Sequence, residues 1–222
     1  MFSCKLEPDQ LDTVDEKEYF PIKTGWVKVY QVKEVLYLLN GTKIENSYQV
    51  KQKITDIRFQ DTKSSIYGLE KYKRKDDKSS WVLDSVGTVE VYRNRILQVF
   101  SNVPLQKMVF PVSYGYEWDI NQFNLYAGSF NKSYYKDIAQ STTVLSKTFN
   151  NTLNVVHSDK SSFIDKNYFV ETYAFGVGLI ASEQKVVEYC QDASCIENCS
   201  KGDCKISNGN ELTYQLLESY QE

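Results

Sequence analysis

Polar turn signals recur about every dozen residues along this chain, and they separate runs of aromatic and β-branched side chains. The signals lie at Asn40-Gly41 and at 61–65, 76–80, 93–95, 128–133 and 208–210. Runs bounded this way read as strands of an antiparallel meander. Asn40-Gly41 is the strongest hairpin signal, since both residue types tolerate the positive φ of a type I′ turn. Alternation supports the reading. In 148–158, Phe149, Leu153 and Val155 share one phase, and Thr148, Asn150, Thr152 and Asn154 share the other. That is a strand with one wet face. In 48–59 the apolar phase runs Tyr48, Val50, Ile54 and then switches to Ile57 and Phe59, which predicts a bulge near Thr55-Asp56. The segment 26–39 is apolar on both phases, as a central, twice-covered strand would be. With 17 Tyr and 11 Phe among 222 residues, the composition suits a pleated surface rather than a helical bundle. Helix is expected only as a short turn somewhere in 162–175.

The cysteines bear on compartment. Cys190, Cys195, Cys199 and Cys204 form a C-x4-C-x3-C-x4-C cluster, and Cys4 stands alone near the start. The cluster lacks the close ligand pairs of a zinc knuckle. An even, local set in a polar loop fits two disulfides better than zinc or free thiols. Three pairings are open. The nested one, Cys190–Cys204 outside and Cys195–Cys199 inside, is favoured because 185–189 and 212–220 read as paired strands that would bring the outer cysteines together. Closing a loop of that length contributes roughly 3 kcal/mol in the chain-entropy model.

Ser3-Cys4 resembles the end of a bacterial lipobox, in which a small residue precedes the lipidated cysteine. A charged and then apolar signal region is expected upstream of such a site. The stretch 5–18 carries Glu7, Asp9, Asp12, Asp15, Glu16 and Glu18 against two lysines, the composition of a solvated tether. Residues 1–18 are therefore read as a lipid-anchor cysteine with a flexible acidic tether. Residues 19–222 are read as one β-rich domain with a cysteine-clustered hairpin at 190–204. The longest apolar run, 35–39, is too short to cross a membrane as a helix.

Candidate chemistry is sparse. The net charge of −3 argues against a nucleic-acid partner. His157, the one histidine, lies in phase with Leu153 and Val155 and is expected to be structural. A catalytic imidazole would need a nucleophile and an orienting acid that the sequence does not place beside it. Glu117 stands among aromatics in Tyr114-Gly115-Tyr116-Glu117-Trp118-Asp119, a combination that carbohydrate sites use for stacking and hydrogen bonding. Tyr114, Tyr116, Glu117 and Trp118 are thus a candidate ligand site, with core packing of those aromatics as the plainer reading. Gly176-Val177-Gly178 lacks the third glycine of a dinucleotide fingerprint and reads as a tight turn. The cations of 71–78 are interrupted by Asp76 and Asp77 and read as a solvated hairpin tip. No metal site and no cofactor are expected.

Two stretches carry a family resemblance. Tyr19-Phe20-Pro21-Ile22-Lys23-Thr24-Gly25 followed by Tyr30-Gln31-Val32 resembles the opening of envelope lipoproteins from Bacteroidetes, which begin after a lipid cysteine and a short acidic leash. Tyr173-Ala174-Phe175-Gly176-Val177-Gly178-Leu179-Ile180 is similar to their second hallmark, a segment leading into a late strand. The match spans nearly the whole body. It departs at Lys28, where the family usually has Trp; this chain offers Trp26 instead. The resemblance implies a mostly antiparallel β fold at the cell envelope. The family has no established activity, so no catalytic residues transfer.

The combined expectation is an all-β single domain, a long curved antiparallel meander or partial barrel with at most one short helix. Its role would be that of a non-enzymatic outer-membrane lipoprotein, held to the membrane through Cys4. It would bind an apolar or glycan ligand or scaffold an envelope complex. The alternatives are a carbohydrate-active hydrolase using acids near Glu117, or a purely structural assembly partner.

Overall fold

The structure, a computed structural model, describes residues 15–125, 132–200, 202 and 204–222. Cys4, most of the proposed tether and part of the 128–133 turn lie outside these residues. Twelve strands form one antiparallel sheet, nearly closed into a barrel. They are β1 (Trp26–Tyr37), β2 (Lys43–Gln60), β3 (Ser64–Arg74), β4 (Val82–Tyr92), β5 (Arg95–Phe100) and β6 (Val103–Val109) in the first half. The second half holds β7 (Glu117–Asp119), β8 (Lys132–Val144), β9 (Lys147–Ser161), β10 (Asp165–Ala174), β11 (Gly178–Tyr189) and β12 (Ile206–Gln221). Each half is a meander, and β1 pairs with β12 to join them, so β1 is central in the strand order. Its buried phase runs Val27, Val29 and then switches to Tyr30, Val32 at a register shift, which is why both phases read as apolar.

Local chemistry accounts for the shape. The pairing of β2 with β3 slips between Ile54 and Ile57 and again between Ile57 and Phe59, where the apolar phase of the sequence switches. Such bulges bend a strand and tighten its twist, which curls a long sheet. The hairpin at Asn40-Gly41 forms, but only Gly41 has positive φ, and the turn spans five residues rather than two. The 162–175 segment is not helical; Asp165–Ala174 is strand β10. Its Val170, Tyr173 and Thr172 need a pleated surface more than a helix does. Glu16–Glu18, which the sequence reading assigns to the tether, belong instead to a 3-10 turn, Glu16–Tyr19, capped by Asp15, and Tyr19 is buried.

The barrel seam lies between the two ends of the strand order, β6 and β7. It is closed largely by individual groups. The Gln106 N–H donates to the Ile120 carbonyl at 2.8 Å, and the Trp118 indole donates to the Gln106 carbonyl at 3.0 Å. The Tyr135 hydroxyl donates to the Val109 carbonyl and accepts from its N–H. Behind the seam sits the larger core cluster, which includes Ile96, Met108, Trp118, Tyr135, Leu153 and Tyr173.

The β11–β12 hairpin carries a helix, α1 (Ala193–Ser200), in its loop. This corrects the nested disulfide pairing. The structure pairs Cys190 with Cys195 and Cys199 with Cys204. The helix explains the change: each bridge ties α1 to one flanking strand end, so the outer cysteines no longer need to meet. Digestion at Glu197 under non-reducing conditions separates the two arrangements. With the observed pairing, the peptides on either side of Glu197 part without reductant; the nested pairing would keep them linked.

Candidate functional site

Glu171 is the hub of a buried polar network. It lies on β10 two residues before Tyr173, so both project from the same face. Across the sheet, the pairing of β10 with β9 steps from Phe169–Ser158 to Val170–Val156, which leaves His157 as the extra residue of a bulge. A bulge re-aims a side chain, and the His157 Nε2 lies 3.0 Å from Glu171 Oε2. The Tyr173 hydroxyl donates to the same oxygen at 2.8 Å. Lys107, from β6 across the barrel, donates to Oε1 at 2.5 Å. Ser133 on β8 lies 2.9 Å from His157 Nδ1.

Charge assigns the protons. Burial alone would raise the Glu171 carboxyl, but the Lys107 charge and the His157 hydrogen bond outweigh it and hold the group well below the usual carboxylate range. A carboxylate only accepts, so His157 Nε2 carries the proton and Nδ1 accepts from the Ser133 hydroxyl. Burial lowers the His157 pKa against the pull of Glu171 and favours the neutral ring. The order Ser133–His157–Glu171 matches the parts of a hydrolytic triad. Ser133 and His157, however, have no exposed surface and line neither compartment described below. A nucleophile needs space for a reacting atom about 3 Å away.

Glu171 also reaches the wall of a half-open chamber of about 220 Å³. Phe100, Val103, Leu105 and Leu179 supply its apolar lining. Gln52, Gln98, Ser182 and Tyr214 converge on it as well, and none of their side chains hydrogen-bonds another described residue. Lys71 is held by Asp84 at 3.0 Å. A narrower recess of about 40 Å³ adjoins the chamber and shares Gln52, Gln98 and Leu179 with it. Phe20, Trp26, Lys28 and Tyr30 line its other side.

The sequence-derived candidates fall elsewhere. Tyr116 and Glu117 line an open surface depression with Arg95 and Phe123. Glu117 is paired with Lys132 at 2.5 Å, and Asp119 caps the Asn121 N–H. Tyr114 is 66 % exposed, and its hydroxyl accepts from the Ile138 N–H rather than lining that depression. Trp118 lines the same depression, but it is 4 % exposed and packs on Tyr135, as the plainer core-packing reading expects. Gly176 and Gly178 both have positive φ in the β10–β11 turn, as the tight-turn reading requires. His157 is buried as expected of a structural histidine, and its partners come from other strands. The signal for them was a charged residue in the apolar phase of a strand: Glu171 between Phe169 and Tyr173, and Lys107 between Leu105 and Val109.

No helix among the described residues is long and apolar enough to cross a membrane. No protein-family model matches the chain, and no curated protein does. Among solved structures, the chain is similar to that of "a putative lipoprotein from Parabacteroides distasonis", with 14 % identity and a TM-score of 0.43, over 91 % of this chain and 98 % of that one.

Proposed function

We propose that this chain is a non-enzymatic cell-envelope lipoprotein, anchored through Cys4, whose barrel holds a small hydroxylated ligand of the glycan class. The observation that carries the ligand reading is the convergence of Gln52, Gln98, Ser182 and Tyr214 on one chamber without protein partners among the described residues. All four are partly buried, so water meets their polar groups until a ligand replaces it. Amide and hydroxyl groups interspersed with Phe100 and Leu179 suit a ligand that presents both hydroxyls and C–H groups. The anchor reading is supported by Ser3-Cys4, the acidic stretch after it and the disulfides of the 190–204 hairpin. The non-enzymatic reading is supported by the burial of Ser133 and His157 and by the engaged carboxylates of Glu117 and Asp119.

A panel of hexoses, N-acetylhexosamines and hexuronic acids, titrated by calorimetry, tests the ligand reading. At least one should bind with a Kd below about 1 mM, worth roughly 4 kcal/mol. Gln52→Leu/Gln98→Leu should weaken it about tenfold or more, since each lost hydrogen bond counts for about 1 kcal/mol. No binding by any sugar, or equal binding by the double variant, would reject the chamber as the site.

A further inference from the structure

We infer that the chamber's ligand is a monoanion, a carboxylate-bearing sugar whose acid group enters the recess at Lys28. This rests on the chamber reading above and adds the charge of the ligand.

The argument is one of charge balance. Lys107 is offset by Glu171 at 2.5 Å, with His157 neutral. Lys71 shares the Asp84 carboxylate with Lys73, at 3.0 and 3.1 Å, so that group also leans positive. The Lys28 ammonium has neither an ion pair nor a hydrogen bond with any other described residue, and it is the one formally charged side chain lining the recess. Its ammonium lies 5.5 Å from the Trp26 ring and against the backbone of Gly178. A Cβ at Gly178 would collide with Lys28 Nζ, so the glycine leaves the space that the ammonium occupies. Burial without a counter-charge lowers the Lys28 pKa to about 8. An anion placed beside it would reverse that effect.

Size and sign narrow the ligand. A recess of about 40 Å³ exceeds the roughly 10–15 Å³ needed for one water and has room for a carboxylate. Within the recess a phosphate dianion would set two charges against the single Lys28 ammonium. Gln52 and Gln98 line both compartments, so an acid group at Lys28 and a polyol body in the chamber can belong to one molecule.

The test compares D-glucuronate, its neutral near-isostere D-glucuronamide and octanoate on the wild-type protein, Lys28→Met and Lys28→Arg. Glucuronate should bind about tenfold or more tightly than the amide, as a charge-assisted contact implies. The preference should vanish in Lys28→Met and persist in Lys28→Arg. Near pH 8, binding should also take up a fraction of a proton, read from calorimetry in buffers of different ionisation enthalpy. Equal binding of acid and amide to the wild type would overturn the charge inference and leave the chamber reading standing. Octanoate binding with no sugar binding would overturn the sugar body, and with it the chamber reading. Loss of all binding in both Lys28 variants, with thermal unfolding unchanged, would reject a charge role for Lys28. If Lys28→Met fails to fold, the wild-type acid-to-amide ratio and the proton uptake decide alone.

Discussion

Replacing Glu171 with leucine lowers the unfolding free energy by about 3–5 kcal/mol, the usual cost of removing one partner of a buried ion pair. Both side chains of the Lys107–Glu171 pair are 6 % exposed, so water cannot replace the lost counter-charge. His157 Nε2 and the Tyr173 hydroxyl lose their acceptor in the same step, each at a cost of about 1–3 kcal/mol unless they find another. Lys107→Met alone should also destabilise. Glu171→Leu/Lys107→Met should cost less than the sum of the two by up to about 3 kcal/mol, because the double variant strands no charge. Urea unfolding of the four proteins supplies the cycle. Additive effects, or a Glu171→Leu cost under about 1 kcal/mol, would reject the network as a determinant of stability. The wild type should also show a two-stage loss of stability in acid. His157 has a lowered pKa in the fold, so the unfolded chain binds the proton more readily; this contribution is present above the ordinary value of 6.5 and is lost as pH falls below it. Glu171 has a depressed pKa, so its contribution is present above the ordinary value of 4.5 and is lost as pH falls towards its folded value. Glu171→Leu should remove the second stage.

The strands and bulges were readable because they are written in local chemistry. The phase switch after Ile54 is visible in the sequence, and the register slips there. Alternation puts Leu153, Val155 and His157 on one buried face, and all three are buried, but the expected wet face is not: Thr152, Val156 and Ser158 are buried as well. The site was not readable, because its members meet only through register. Ser133 and His157 are 24 residues apart, and Lys107 and Glu171 are 64 apart. Nothing local says that the β9–β10 bulge falls at His157. The aromatic-flanked acid at Glu117 looked more like a binding residue than Glu171 did, yet Glu117 is 44 % exposed and tied to Lys132. The better signal was polarity out of phase. Lys28 lies between Trp26 and Tyr30 just as Glu171 lies between Phe169 and Tyr173. The disulfide pairing escaped for another reason: an eight-residue helix in a loop changes which cysteines can meet.

Trp118→Ala should cost about 3–5 kcal/mol, as truncation of a large buried aromatic does. The residue was a candidate ligand contact, and the structure makes it a latch. Its ring packs on Tyr135 with centroids 4.8 Å apart, and its indole N–H reaches across the seam to the Gln106 carbonyl. The Gln106 N–H makes the neighbouring bond to Ile120, so both backbone groups of Gln106 are satisfied from the β7 side. Loss of the ring opens a cavity in the core and leaves the Gln106 carbonyl without its donor. Trp118→Phe separates the two terms: it keeps an aromatic ring and loses the N–H. Its cost should be smaller, about 1–3 kcal/mol for the unpaired carbonyl with a small cavity term added. Amide hydrogen exchange should localise the effect, with protection falling first at Gln106 and Val109 as the seam opens ahead of the β1–β12 pairing. A true ligand platform behaves oppositely: truncation would leave stability within about 0.5 kcal/mol, as at surface positions, and weaken sugar binding. Unchanged stability in Trp118→Ala would therefore reject the latch and return the residue to the list of binding groups.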